Sequence, residues 1–331
     1  MKNIWQDLPK PLFIQAPMED VTDTVFRQIF TRCGKPDIFF TEFTSVDGMC
    51  SVGYNQVAKR LLYTENERPL IAQVWGSKPE YFLRAAQMIQ EMGFDGIDLN
   101  MGCPQRSVTK KGLCSALIKN HALAKEIIQA TQEGASDLPV SVKTRIGFSE
   151  IQTEEWIGFL LQQNLTALTV HGRTAKEMSK VPAHWDEIGK AVQLRDKIAP
   201  QTILIGNGDI KSREEAFEKI KTYKVDGVMI GRGIFHDLQI FNKDNPKPLS
   251  SIDKIHLLID HITLFNTTWQ DKKDFNILRH YYKIYISDLP HATDIRDSLM
   301  KITTPSETIT FLEDLLAHLE KNTAINYHQL S

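Results

Sequence analysis

At 331 residues the chain is long enough for one large domain of about 240 residues with a smaller one beside it. Lys and Arg total 39 against 41 for Asp and Glu, so net charge points to neither nucleic acid nor membrane, and any anionic partner has to be met locally. Cys33, Cys50, Cys103 and Cys114 show neither zinc-ligand spacing nor a dense disulfide framework, no run approaches the roughly 20 apolar residues of a membrane span, and MKNIWQDLPKPLFIQAPM lacks signal-peptide architecture, so the expectation is a cytoplasmic protein with reduced thiols.

Eight short apolar or β-branched runs follow in order, each trailed by a stretch that reads as helix. They are FIQAP from Phe13, DIFFTEF from Asp37, LIAQVW from Leu70, GIDLNMG from Gly96, PVSVKTR from Pro139, ALTVHG from Ala167, TILIGNG from Thr202 and DGVMIGRG from Asp226. Eight β units with intervening helices predict an α/β fold of the closed (β/α)8 TIM-barrel type. PEYFLRAAQMIQEMGF opens on Pro79 and ends in Gly93, and SREEAFEKIKTY opens on Ser212 with two early Glu residues, so both read as amphipathic helices. After Phe235 the strand rhythm stops. Residues 242–251, NKDNPKPLSS, read as a linker by their Pro, Asn and Ser content. Beyond them Leu257, Leu258, Ile262 and Phe265, then Leu278, Tyr282 and Tyr285, then Ile309, Leu312, Leu315, Leu316 and Leu319 recur at helical spacing, predicting a small all-α bundle of three or four helices.

The most informative stretch is DGIDLNMGCP, residues 95–104. Alternation puts Ile97, Leu99 and Met101 on one strand face and Asp98, Asn100 and Gly102 on the other, so Cys103 emerges at the strand's C-terminal end. In parallel α/β folds catalytic side chains collect at that end, although a lone thiol is often just a packed core residue. On PVSVKTR, Val140 and Val142 share one face while Ser141, Lys143 and Arg145 share the other, which points the polar set into the barrel. A Lys there needs an anionic or polar partner. His171 follows the sixth strand. The seventh and eighth strands end in GNGD, residues 206–209, and GRG, residues 231–233, where glycines let backbone N–H groups approach a phosphate and Arg232 adds a charge-assisted bond. Gln73 offers an amide at the third strand, and Ala16, Pro17 and Met18 form a ledge after the first. This set suits a flavin mononucleotide (FMN), with Lys143 beside the N1–C2 edge of the ring and Cys103 facing it. Many barrels bind simple sugar phosphates with the same two loops.

APMEDVTDTVFR at residues 16–27, then QVWG, DGIDLNMGCP, VKTRIGF, VHGRT, GNGDI and IGRG, in this order, resemble the tRNA-dihydrouridine synthase family across nearly the whole barrel. The resemblance implies an FMN-containing catalytic barrel over residues 1–241, the linker 242–251, and a helical tRNA-binding domain over 252–331. It implies reduction of the C5–C6 double bond of a uridine in the tRNA D-loop, with NADPH reducing the flavin. Cys103 resembles the family's proton donor, and an ordinary thiol pKa of about 8.5 would keep it protonated near neutrality. Pro17, Met18, Gln73, Lys143, His171, Asn207, Gly208, Asp209, Gly231 and Arg232 match family FMN positions; Asn100 and Arg145 match positions near the substrate uridine. Leu113 and Cys114 depart from the pattern, standing where smaller residues are common, and Cys114 reads as a buried helix residue rather than a second acid.

For RNA the local charges are Arg106, Lys110 and Lys111 after the Cys103 loop, and Lys272, Lys273, Arg279, His280 and Lys283 in the tail, of which Arg279 and Lys283 are the candidate substrate contacts. From Ser251 onward 8 Lys or Arg stand against 11 Asp or Glu, so the tail as a whole is not basic. Tyr281, Tyr282 and Tyr285 read as helix packing rather than base-stacking platforms. No metal ligands are expected, and the chain is expected to be a monomer. Two other readings stay open at this level: a flavin barrel acting on a free pyrimidine-like molecule, and a non-catalytic tRNA-binding factor.

Overall fold

The computed structural model describes residues 3–244 and 246–328. Among the described residues nine strands form one all-parallel sheet: β1 (Leu12–Gln15), β2 (Phe39–Phe40), β3 (Thr44–Ser45), β4 (Leu70–Trp75), β5 (Gly96–Met101), β6 (Val140–Arg145), β7 (Ala167–His171), β8 (Ile203–Asn207) and β9 (Gly227–Ile230). The order β1-β9-β8-β7-β6-β5-β4-β2 closes on itself through a parallel bridge between Ile14 and Ile38. The fold is therefore a (β/α)8 barrel with a helical tail, as the strand rhythm predicts.

One strand differs from its expected form. DIFFTEF does not run as a single strand but breaks into β2 and the short extra strand β3, which pairs farther along β4. The cause is Thr41, whose Oγ1 accepts the Gln73 N–H at 3.1 Å, so a side chain takes a place that a backbone carbonyl holds in a regular ladder.

Side-chain alternation sorts the barrel into an outer apolar shell and a two-part interior. Phe13, Val74, Leu99, Val142, Val170 and Val228 face the helices in the main core. Inside, Leu12, Ile14, Phe40, Ile71, Ala167, Ile203, Ile205 and Met229 fill the N-terminal half around Trp5, which the helix Ile4–Asp7 inserts edge-on to Phe40. The C-terminal half is lined instead by Gln73, Asp98, Asn100, Ser141, Lys143 and Thr169. The register pairs Gln73 with Asp98, Asn100 with Lys143, and Arg145 with His171.

Helix termini form where capping chemistry places them. Pro79 opens the helix Pro79–Glu91, and the Ser212 hydroxyl accepts the Glu215 N–H at the start of Arg213–Tyr223. In the tail, Ser250 and Asp253 form a capping box that begins the helix Ser251–Trp269. Helices Tyr282–Ile286, Ala292–Leu299 and Pro305–His328 follow. Tyr281, Tyr282 and Tyr285 are all buried, which makes them packing residues.

The tail shares one continuous core with the barrel, because Ile262, Phe265, Trp269 and Tyr281 join the same cluster as Phe26 and Phe30 of the helix Thr24–Cys33. Asp23 is the polar centre of that junction. Its Oδ1 caps Phe26 N–H at 3.0 Å, and its Oδ2 accepts Trp269 Nε1 at 2.8 Å and Lys273 Nζ at 2.9 Å. Truncation would strip a helix cap, leave an indole N–H without its partner and reduce the Lys273 ammonium to its longer contact with Glu42 at 3.4 Å. Asp23→Ala should therefore lower the unfolding free energy by about 2–4 kcal/mol in urea denaturation, whereas a loss within the error of the measurement would show that the junction does not depend on Asp23.

Candidate active site

The polar half of the barrel interior is a single hydrogen-bonded chain. Asp98, fully buried on β5, accepts Ser141 Oγ at 2.6 Å and Gln73 Nε2 at 2.7 Å. Gln73 Oε1 then accepts Asn100 Nδ2 at 3.1 Å, which turns Asn100 Oδ1 toward the N–H groups of Gly102 at 3.1 Å and Cys103 at 3.0 Å. Each amide orientation is thus dictated by the one before it. Burial pushes the Asp98 carboxyl up to about 6, against the pull of Ser141, Gln73 and Lys143.

The Cys103 loop is held from two more sides. Arg145, buried at the end of β6, donates Nε to Gly102 O at 2.7 Å and Nη1 to the carbonyls of Thr174 at 3.0 Å and Met178 at 2.9 Å, stapling the loop after β5 to the loop after β7. Cys103 O accepts Ser115 Oγ at 2.8 Å and Ser115 N–H at 3.3 Å. The thiol itself departs from the expected ordinary value. A hydrogen bond from the Cys114 thiol draws Cys103 down to about 6 against the opposing effect of burial, with the Gln105 N–H, Arg145 and Lys143 adding to the pull.

Beside this loop lies a cavity of about 720 Å³ at the C-terminal mouth. Its wall is made by Pro17 and Met18 after β1, Lys143 on β6, His171 ending β7, Asn207, Gly208 and Asp209 after β8, and Gly231 and Arg232 after β9. Nine of the ten positions expected to meet a cofactor thus converge. The tenth, Gln73, sits deeper, in the chain below Asn100. Gly208 has φ +137, and a Cβ there would lie 2.6 Å from the Ala183 Cβ, so only glycine fits. Around the GRG turn the crowded position is Gly233, where a Cβ would meet Ile210 O at 2.3 Å; Gly231 has ordinary room.

Charge in the cavity is arranged around Arg173, a buried residue to which the sequence alone assigns no role. It donates Nε to Val181 O at 2.6 Å, Nη1 to His171 Nε2 at 3.1 Å and Nη2 to Asp209 Oδ2. A guanidinium only donates, so His171 accepts at Nε2 and carries its proton on Nδ1. Burial, with Arg145, Lys143, Arg173 and Arg232 nearby, holds His171 well below the usual imidazole range. Asp209 is opposed by burial, but Arg173, the Ala183 N–H and Arg232 keep its carboxyl below the ordinary value. Burial and Arg145 lower Lys143 to about 8, while Asp98 and Cys103 work in the opposite direction. Arg232 is 65% exposed, with Asp209 at 3.7 Å, and so is free to swing onto an entering anion. VHGRT does display Arg173 two residues after His171, but not that its side chain turns inward.

The expected tail contacts divide. Arg279 is half-buried and gives Nη2 to Ile302 O at 3.2 Å, and Lys273 is bound to Asp23 and Glu42, so neither belongs to an open basic face. Lys283, like Arg106, Lys110 and Lys111, is exposed.

Against known proteins, the family profile described as dihydrouridine synthase matches residues 14–323, barrel and tail together. The chain belongs to the dihydrouridine synthase family. It is 45% identical to "Probable tRNA-dihydrouridine synthase" of Staphylococcus aureus (strain COL), over 98% of this chain and 99% of that one. It is 42% identical to "Probable tRNA-dihydrouridine synthase 2" of Bacillus subtilis (strain 168), over 95% and 96%. Among solved structures, morphinone reductase shares the fold at 13% identity with a TM-score of 0.50, over 72% of this chain and 87% of that one. Membership makes the chain a flavin-dependent oxidoreductase that synthesises dihydrouridine in tRNA. No helix among the described residues is long and apolar enough to cross a membrane.

A neutral His171 has a measurable signature. Its ring nitrogens should keep the shifts of the Nδ1–H tautomer as pH falls through the ordinary value of about 6.5, read by ¹⁵N NMR. A ring that titrates at that value would contradict the charge arrangement. The unfolded chain takes up a proton there, so this contribution to stability is complete above about 6.5 and is lost as pH falls below it.

Proposed function

We propose that the mouth cavity holds FMN, that NADPH reduces it, and that Cys103 is the general acid in reduction of a D-loop uridine of tRNA. The observation that carries this reading is one juxtaposition: a glycine-edged, cation-bearing cavity opens beside a thiol loop fixed at three points, at the same end of the barrel. The cavity fits the cofactor by volume and by donors. Its 720 Å³ lies within the range of cofactor sites, of roughly 300–1,000 Å³. The Gly208 turn would be filled by any Cβ, and Arg232, 65% exposed and paired with Asp209 at 3.7 Å, can turn onto a phosphate. Pro17 and Met18 offer the ledge for the ring, and Lys143, Asn207 and His171 the polar edge.

The flavin held there by Pro17, Met18, Lys143, His171, Asn207, Gly208 and Arg232 would supply, once reduced, a hydride for uracil C6. The protein's own part is to deliver a proton to C5. Cys103 donates it and is left as a thiolate, which Arg145 and Lys143 stabilise by charge. Asn100, fixed through Gln73 and Asp98, holds the backbone of the Cys103 loop against the bound base. With the thiol drawn to about 6, the protonated form is a minority at neutral pH and has to be reloaded from solvent in each turnover.

The tRNA backbone is met by the exposed cations Arg106, Lys110 and Lys111 beside the catalytic loop and by Lys283 on the tail, with Arg279 in a supporting position. Their phosphate contacts offset the few kcal/mol needed to unstack a loop uridine and make binding salt-sensitive. A tRNA substrate implies work in the cytoplasm. We take the chain to act as a monomer, because the apolar face of its tail is covered by its own barrel.

Two variants separate binding from chemistry. Cys103→Ala should keep its flavin absorbance while NADPH-driven reduction of tRNA falls by roughly 10²-fold or more; undiminished turnover would remove Cys103 from the mechanism. Gly208→Ala should purify with its flavin largely lost, because both φ and space exclude a Cβ. Full flavin occupancy in that variant would move the cofactor elsewhere.

A further inference from the structure

A carboxylate is an odd occupant for the corner of a cavity suited to an anion. Asp209 stands there, on the turn after β8 with φ +52, between Gly208 and the reach of Arg232. Left to itself it would repel an entering phosphate and draw Arg232 away from it. What it meets instead is Arg173, whose Nη2 donates to Oδ2, the oxygen that also accepts Ala183 N–H at 2.8 Å. Oδ1 is left for Arg232, at 3.7 Å, beyond hydrogen-bond distance. Arg173 has little freedom to leave. Its N–H is tied to His171 O at 2.7 Å, its carbonyl accepts Ile146 N–H at 3.3 Å, and its Nε and Nη1 donate to Val181 O and His171 Nε2. The Asp209 side chain is 30% exposed and that of Arg173 3%, so an entering ligand meets mainly the carboxylate.

We propose that Arg173 is a positioning residue of this corner: it holds the Asp209 carboxylate in a neutralised pair and so leaves Arg232 for the phosphate of the ligand. Arg173, Asp209 and Arg232 together leave one positive charge in excess. Without Arg173 the other two cancel, and the carboxylate closes on Arg232. The planar fork matters as much as the charge, because three acceptors on different loops, Val181 O, His171 Nε2 and Asp209 Oδ2, are met by one side chain. The loop after β7 and the turn after β8 are thereby fixed to each other at the point where the anion enters.

The inference rests on the reading that this corner takes the phosphate of FMN, and riboflavin, which lacks that group, separates the two. Dissociation constants of FMN and riboflavin are measured by flavin fluorescence for the full chain and for R173M, D209N and R173M/D209N. Their ratio is the quantity read, because damage to the ring site alters both constants alike. Wild type should prefer FMN. In R173M, which keeps an apolar stem without the charge, that preference should fall by about tenfold or more. Adding D209N should return most of it, since Asn removes the unpaired charge, keeps an acceptor for the Ala183 N–H and tolerates the left-handed turn. D209N alone should stay within about threefold of wild type. Should R173M fail to fold, R173Q, uncharged but polar, gives the same reading. An unchanged preference in the Arg173 variants, or a loss that D209N does not restore, would overturn the proposal and leave Arg173 as packing. A loss in D209N alone as large as that expected for R173M would also overturn it, by making Asp209 a ligand rather than a charge to be neutralised. A wild type that binds both flavins equally would instead overturn the phosphate reading of the corner, and the proposal with it.

Discussion

A buried carboxylate in the middle of a barrel has to be satisfied, and the arrangement around Asp98 is how this chain does it. Ser141 and Gln73 supply the donors and Lys143 the nearby positive charge. With one end of Gln73 committed to Asp98, its other end can only accept, so Asn100 donates to it and turns its own carbonyl to the Cys103 loop. The position of the thiol loop therefore descends from a residue that never touches the cavity. An isolated buried carboxylate would be strongly unfavourable, but one with two hydrogen bonds and a cation stabilises a single arrangement of three strands, β4, β5 and β6.

The cavity and the tail are coupled through the loop after β1. Met18 lines the cavity, while its carbonyl accepts Val21 N–H at 3.2 Å and Thr22 N–H at 3.0 Å. Val21 O in turn accepts the Tyr281 hydroxyl of the tail at 2.7 Å, and Thr22 O accepts Arg27 Nη1 at 2.7 Å. Arg27 is fully buried against Glu67 at 2.6 Å. The tail is thus referenced to the cavity wall by a few short hydrogen bonds. The shared core also means that the tail is not a detachable module: removing it would expose the apolar face of the helix Thr24–Cys33.

The fold was legible in the sequence because its signals are local. Alternation in residues 95–104 and 139–145 told inside from outside, and glycine-rich strand ends marked β8 and β9. Capping residues at Ser212, and the helical spacing of Leu257 to Phe265, were equally plain. What was hidden is directional or depends on distant partners. Thr41 ends a strand early because of Gln73, thirty-two residues away. Lys273 looks like a free cation until Asp23 and Glu42 are seen beside it, and Arg173 looks like a loop charge until its side chain turns inward. Cys114 could be recognised as a departure from the family's pattern. That the turn it opens folds back onto Cys103 follows only from the Ser115 contacts with the Cys103 carbonyl.

The central claim is that this mouth reduces a uridine in tRNA, and the most direct measurement is a mass gain. The purified protein, with FMN and NADPH, is incubated with tRNA lacking dihydrouridine, and nuclease fragments are mapped by mass spectrometry. The account predicts a gain of two hydrogens on a D-loop uridine. A protein that is yellow and oxidises NADPH, yet leaves every tRNA fragment unchanged, would contradict it.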